Sequence, residues 1–194
     1  EYGRLCGELS VRALDATRCF IRLAEQSDAL PVRAEWWAEG LKPLGTTSSG
    51  LPVSNLAARE RRTIAVRDVL EAPELMDPSL GSVEMMTRLG SRSALATPII
   101  VFDRMIGVLG LHRSDPGSWD VADVQLAEAV AREIGLALHT ARLLDENERR
   151  LGEQEALLKA AQTVTSELEL EAVLQRLVDE VAALLDADTV DCYL

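Results

Sequence analysis

Two histidines, three cysteines and a scatter of serines are the side chains here that could carry covalent or metal chemistry, and their spacing organises none of it. Cys6, Cys19 and Cys192 contain no C-x-x-C pair, and adding His112 and His139 does not make a zinc spacing. No serine lies in G-x-S-x-G, and the P-loop, the dinucleotide glycine fingerprint and H-E-x-x-H are all missing. His139 sits in a helical pattern and leads into TARLLDE, not into the acid-then-proline run of a phosphoacceptor box, so it reads as a partly exposed structural histidine. His112 is different. It closes a β-patterned run in which Ile106, Val108 and Gly110 share its face. A neutral imidazole there could hydrogen-bond a carbonyl or carboxylate, or be satisfied by backbone or water. No metal site and no catalytic residue is expected.

The elements that would hold His112 follow from periodicity. Leu95–Phe102 and Met105–His112 alternate and meet at Asp103-Arg104, a gap of hairpin length. After the turn-forming cluster Ser114–Ser118 the period becomes helical, with Ser118 or Asp120 as candidate cap. Upstream, residues 4–14 read as the tail of an amphipathic helix. Thr17–Leu23 and Val32–Glu39 read as strands joined through a turn at Asp28–Pro31, with Cys19, Ile21 and Leu23 on one face and Trp36 inward. Gly40–Pro52 is a long connection. Ser54–Arg62 is a short helix capped by Ser54, Thr63–Val69 a strand, and Leu80–Leu89 a Met-rich helix. Two pairs of strands joined by short turns exclude an all-parallel sheet.

The segment PIIVFDRMIGVLGLHRSDPGSWDVADVQLAEAVAREIGLALHTARLL resembles the closing hairpin and last helix of a GAF domain. In that family a proline-led strand, a G-x-L-x-L-H strand, a tryptophan and a helix ending in A-x-L come in this order, and the resemblance covers about residues 1–147. It implies an α+β fold: an antiparallel sheet of five or six strands, terminal helices on one face, short helices over the other, and a long connector helix after it. By the same resemblance His112 faces a ligand pocket. Ala94 and Ala96 with Gly110 opposite would leave room above the sheet, and Met85, Met86 and Leu89 would form a lid. Phe20 and Trp36 complete the candidate ligand-binding set, with Arg92 or Ser93 as further polar groups. Plain core packing explains the same residue types.

Departures from the family's specialised members narrow the chemistry. Residues 70–93 hold neither the cysteine of covalent bilin binders nor the histidine of haem binders, so both cofactors are disfavoured and the cofactor stays unknown. The N-K-x-F-D-E pattern of cyclic-nucleotide binders is absent. The cysteines are not in the pocket loops, as free methionine sulfoxide reductases require.

A net charge of −12 argues against nucleic acid and against an anionic membrane surface as partners, and no apolar run approaches a membrane span. An odd set of scattered cysteines suits reduced thiols and a cytoplasmic location. LDATRCFIRL (Leu14–Leu23) aligns without a gap on LDADTVDCYL (Leu185–Leu194), which marks a tandem repeat. The expected domains are a GAF-like unit over 1–147, a helical connector over 148–166 and a truncated second copy over 167–194 whose first helix follows a break at Thr165-Ser166. The chain is expected to be a piece of a longer protein. Within 121–165 the apolar seam runs Val130, Ile134, Ala137, Ala141, Leu144, and leucines continue at heptad spacing as Leu151 and Leu158, the pattern of a marginal coiled coil. The expected function is a non-catalytic sensory domain that binds a small molecule and signals, through a homodimer along 121–165, to a downstream effector of two-component or similar type. The alternative is a ligand-free dimerisation scaffold, and a sulfoxide-reductase-like enzyme is third.

Overall fold

Alternation of apolar and polar residues yields, among the described residues, five strands: β1 (Arg18–Leu23), β2 (Val32–Trp37), β3 (Ile64–Val66), β4 (Ser93–Val101) and β5 (Arg104–Arg113). They form one antiparallel sheet in the order β2-β1-β5-β4-β3. The helices are α1 (Pro52–Glu60), α2 (Val83–Arg88) and α3 (Val121–Leu185), with short 3-10 turns at Pro73–Leu75 and Pro78–Leu80. This computed structural model describes residues 14–24, 30–45, 50–185 and 189, and only the backbone over 163–169. All but the last residue of the helix expected over 4–14, half of the turn over 28–31 and the repeat's strand at Val190, Cys192 and Leu194 lie outside the described residues.

Several local expectations shift by a residue or two, each for a physical reason. The β4–β5 turn is Phe102-Asp103, both left-handed (φ 47° and 59°), between the paired Val101 and Arg104, one residue earlier than expected. Ile106 is the extra residue where the β4–β5 register shifts, so strict alternation does not carry through it. It packs on the opposite face from His112. α1 begins at Pro52 rather than after Ser54, because a ring that presets φ and lacks an N–H suits the first helical position. The Leu80–Leu89 stretch breaks in two. Pro78–Leu80 is a 3-10 turn, and α2 starts after Ser82, whose Oγ accepts from the Met85 N–H at 3.3 Å.

The sheet separates two interiors. On one side α1 and α2 cover Phe20, Ile64, Val66, Ala94, Ala96 and Val108. On the other, Ala127, Ala131 and Ile134 of α3 lie over Cys19, Ile21, Leu95, Ile99, Leu109 and Leu111. Gly135 lets the helix come close to β4, since a Cβ there would stand 2.7 Å from Val101 Cγ2. Ile134 is 3% exposed and Val130 is half-buried against this core. The first part of the expected dimer seam is therefore spent on the sheet.

The chain divides into two units, residues 1–140 and 141–194. In the second, Leu144, Leu151 and Leu158 are all at least half exposed. The α3 backbone stays helical through Thr165-Ser166. A Thr-Ser pair ends a helix only when its successors cannot continue one, and ELELEAVLQRL is rich in helix formers.

The start of α3 is held by a reciprocal cap: the Asp123 N–H donates to Asp120 Oδ1 (2.7 Å) and the Asp120 N–H to Asp123 Oδ2 (3.2 Å). Asp120→Ala removes the cap and is expected to lower stability by about 1 kcal/mol, read as a lower urea midpoint at unchanged slope.

Candidate functional site

Antiparallel pairing lays the candidate residues out in rows across β1, β5 and β4. Arg18 stands opposite His112, which stands opposite Ala94; Phe20 opposite Gly110 and Ala96; Arg22 opposite Val108 and Pro98. All three rows face α1 and α2. The middle row is closed by Phe20, because a Cβ on Gly110 would lie 2.2 Å from Phe20 Cζ. The phenyl ring occupies the space that a side chain at 110 would fill, and its edge meets the His112 ring with centroids 5.1 Å apart. Met86, with no exposure, packs in the same cluster, and Leu89 packs at its margin. Met85 is half-buried, with its sulfur beside Gly50.

The structure brings together Phe20, Met86, Leu89, Ala94, Ala96, Gly110 and His112. It does not bring Trp36 to them. Trp36 pairs with Cys19 and packs in the α3-side core, so its inward side chain points to the wrong interior for this set. On that strand Glu35 and Trp37 take the register positions on the α2 side. Arg92 turns outward to Asp68, its Nη2 2.5 Å from Oδ2. That pairing holds the Asp68 carboxyl below the usual range. Ser93 donates to the carbonyls of Val66 and Gly117 and leaves the face that Ala94 occupies.

Polar links fasten the helical cover, α1 as well as α2, to the sheet. The His112 Nδ1 and Ser91 Oγ are 2.8 Å apart just past α2. Arg18, fully buried, pairs with Glu35 and donates through Nη2 to the carbonyls of Lys42 (2.7 Å) and Leu89 (3.2 Å). Glu35 in turn accepts from the Leu44 N–H (2.9 Å to each oxygen), which draws the long connection down onto β2. Arg22, 1% exposed, donates through Nε to the Leu30 carbonyl (2.6 Å) and through Nη1 to Asn55 Oδ1 (2.8 Å) of α1. Arg18, Arg22, Glu35, Asn55 and Ser91 were not among the residues chosen from sequence. The signal was present in RCFIRL, where two arginines four apart fall on the apolar face that Phe20 shares.

Burial sets the electrostatics. Desolvation lowers the Arg18 guanidinium, with Glu35 opposing it, and lowers Arg22 to about 10. Desolvation and then the Arg18 charge push His112 down to about 3. Ser91–His112 therefore differs from an activated nucleophile. Each is 1% exposed, and the charge beside the imidazole is a cation, the reverse of the carboxylate that stabilises a catalytic imidazolium. Among the described residues no three His, Cys, Asp or Glu gather as metal ligands. No described helix is long and apolar enough to cross a membrane.

The family profile of the GAF domain matches residues 4–138. No curated protein matches the chain. Solved structures similar to it include the third GAF domain of Slr1393 from Synechocystis sp. PCC6803 in its photoproduct state, with 22% identity over 75% of this chain and 96% of that one, TM-score 0.61. A domain of a candidate two-component sensor histidine kinase from Sinorhizobium meliloti 1021 is 20% identical over 77% and 94%, TM-score 0.57. The type II free methionine-R-sulfoxide reductase of Thermoplasma acidophilum is 13% identical over 72% and 90%, TM-score 0.55.

The folded chain keeps His112 neutral down to about pH 3, whereas the unfolded chain takes up that proton near 6.5. This contribution to stability is whole above pH 6.5 and is lost as the pH falls towards 3, at up to about 1.4 kcal/mol per pH unit. Urea midpoints between pH 7 and 4 are expected to fall less steeply in His112→Gln than in the wild type.

Proposed function

The chain belongs to the GAF domain family, and we propose that it is a non-catalytic sensory module whose α2-covered sheet face receives a small ligand and whose α3 carries the response to a second copy. The observation that carries the relay is the exposure of Leu144, Leu151 and Leu158, at 60%, 51% and 64%, at heptad spacing on one helix. A second copy is the occupant that such spacing fits, since identical heptads interlock knob into hole. Burying a leucine fully is worth roughly 1.5–3 kcal/mol. Since these side chains are 51–64% exposed to begin with, six leucines from two chains supply roughly 5–11 kcal/mol, against an association cost of roughly 4–15. That balance suits a dimer that a modest signal can shift.

For the sensing end, the support is the cover itself. Arg18 and the Ser91–His112 contact hold the far end of α2 to the sheet. A ligand that competes for those bonds would bind the latched and unlatched states differently, which any coupling requires. A cytoplasmic location and an effector downstream of the chain, as in two-component sensors, complete the proposal. The relatives with photoproduct and sensor-kinase descriptions motivate it. A second reading, a ligand-free dimerisation scaffold, draws on the packing of Phe20 against Gly110 and His112.

Sedimentation of the 194-residue chain tests the relay. The wild type is expected to dimerise at micromolar concentration, and Leu144→Glu/Leu151→Glu/Leu158→Glu to be monomeric with unchanged near-ultraviolet dichroism. A monomeric wild type would sink the proposal.

A further inference from the structure

α1 starts in an unusual way. Leu51 offers no capping side chain, Pro52 has no N–H, and the first-turn amides of Val53 and Ser54 have no acceptor among the described residues. In a surface helix water would serve them. Here Leu51, Val53 and Ser54 are at most 1% exposed, so the positive end of the helix is buried. Two further observations converge on the same turn. Ser54 Oγ is buried without a hydrogen-bond partner among the described residues. Arg22, on the neighbouring strand, reaches Asn55 with Nη1, is 1% exposed, and pairs with no carboxylate among the described residues. Its Nη2 has no protein acceptor there either. Arg18, four residues earlier on the same face, does have its acid, Glu35. A buried guanidinium left without a counter-charge is among the costliest features a core can hold.

We propose that the Arg22 side chain and the first turn of α1 form the binding site for a carboxylate of a small organic acid. The site supplies one full positive charge, the free Nη2 donor, two helix amides and one hydroxyl. That set balances a monoanion with two oxygens better than a dianionic phosphate. Asn55 holds the guanidinium to the helix turn, and its Nδ2 donates to the Leu80 carbonyl (2.6 Å) just before α2. The site therefore adjoins the segment that leads into the cover. The inference rests on the reading of this sheet face as the ligand side and gives the ligand its chemistry.

Amide spectra of the full chain, titrated with sodium acetate against sodium chloride at matched ionic strength, test it. Saturable shifts of the Val53 and Ser54 amides with acetate alone are expected. Arg22→Met should weaken the apparent affinity about tenfold or more, and Ser54→Ala roughly threefold to tenfold. Ser54→Ala removes a hydroxyl that bonds to nothing among the described residues, so it carries the test even if Arg22→Met fails to fold. Shifts identical in acetate and chloride would overturn the proposal. So would tighter binding of inorganic phosphate, or acetate binding that appears only in Glu25→Gln or Asp28→Asn, which would mean that the chain supplies its own carboxylate. Saturable acetate binding with an unaltered monomer–dimer equilibrium would support the site and remove the relay. No binding with an intact dimer would remove the site alone.

Discussion

Strand β5 is hydrogen-bonded along both edges, to β1 and to β4, so each of its side chains is committed to one of two interiors. Leu109 and Leu111 go to the α3 side, and Val108, Gly110 and His112 to the side of α1 and α2. The neighbours inherit the choice. Cys19 and Leu95 follow Leu111, while Phe20 and Ala96 follow Gly110. Because the period is two, a slip of one residue would bury Arg18, Arg22 and His112 under α3 in an aliphatic layer with no partners for them. The cost of misplacing those polar groups fixes the register as firmly as the apolar pattern does.

The two interiors are held in different ways. Beneath α3 the contacts are almost wholly aliphatic, with Trp119 and the Arg113 guanidinium stacked at 3.8 Å closing the end near the helix start. Arg113 also donates to the Leu14 carbonyl and to Asp123, which ties the chain before β1 to the first turn of the helix. Beneath α1 and α2 the apolar cluster is threaded by directional bonds from Arg18, Arg22 and His112. Apolar packing tolerates gradual adjustment, whereas a hydrogen bond to a buried charge is either made or lost. An interior latched by such bonds is suited to a two-position response.

α3 answers two demands with one period. Ala127, Ala131 and Ile134 meet the sheet, and small residues at Ala127, Ala131 and Gly135 allow a close approach. From residue 141 on, Leu144, Leu151 and Leu158 recur at sevens and are at least half exposed. The same spacing of three and four thus reads alike in both stretches.

Strand positions, the antiparallel pairing, Asp120 as one of two cap candidates and the switch from strand to helical period after Ser114–Ser118 were legible in the sequence, because each depends on a period or on a residue's own backbone preference. That Val108, Gly110 and His112 share a face was legible for the same reason, whereas the place of Ala94 and Ala96 beside them was what the family resemblance implied, and the β4–β5 register puts them there. Trp36 shows where that reasoning stops: alternation tells that a residue points inward but not into which of two interiors, and only the β1–β2 register decides it. The same holds for Val130 and Ile134, whose spacing fits a partner helix or a sheet equally well. Arg18 and Arg22 could be seen on the apolar face of β1, yet which of them meets an acid depends on Glu35 from β2 and Asn55 from α1 arriving from distant parts of the chain. Local periodicity assigns elements and faces; long-range pairing alone assigns the partners of buried charges, because those partners are chosen by proximity in space.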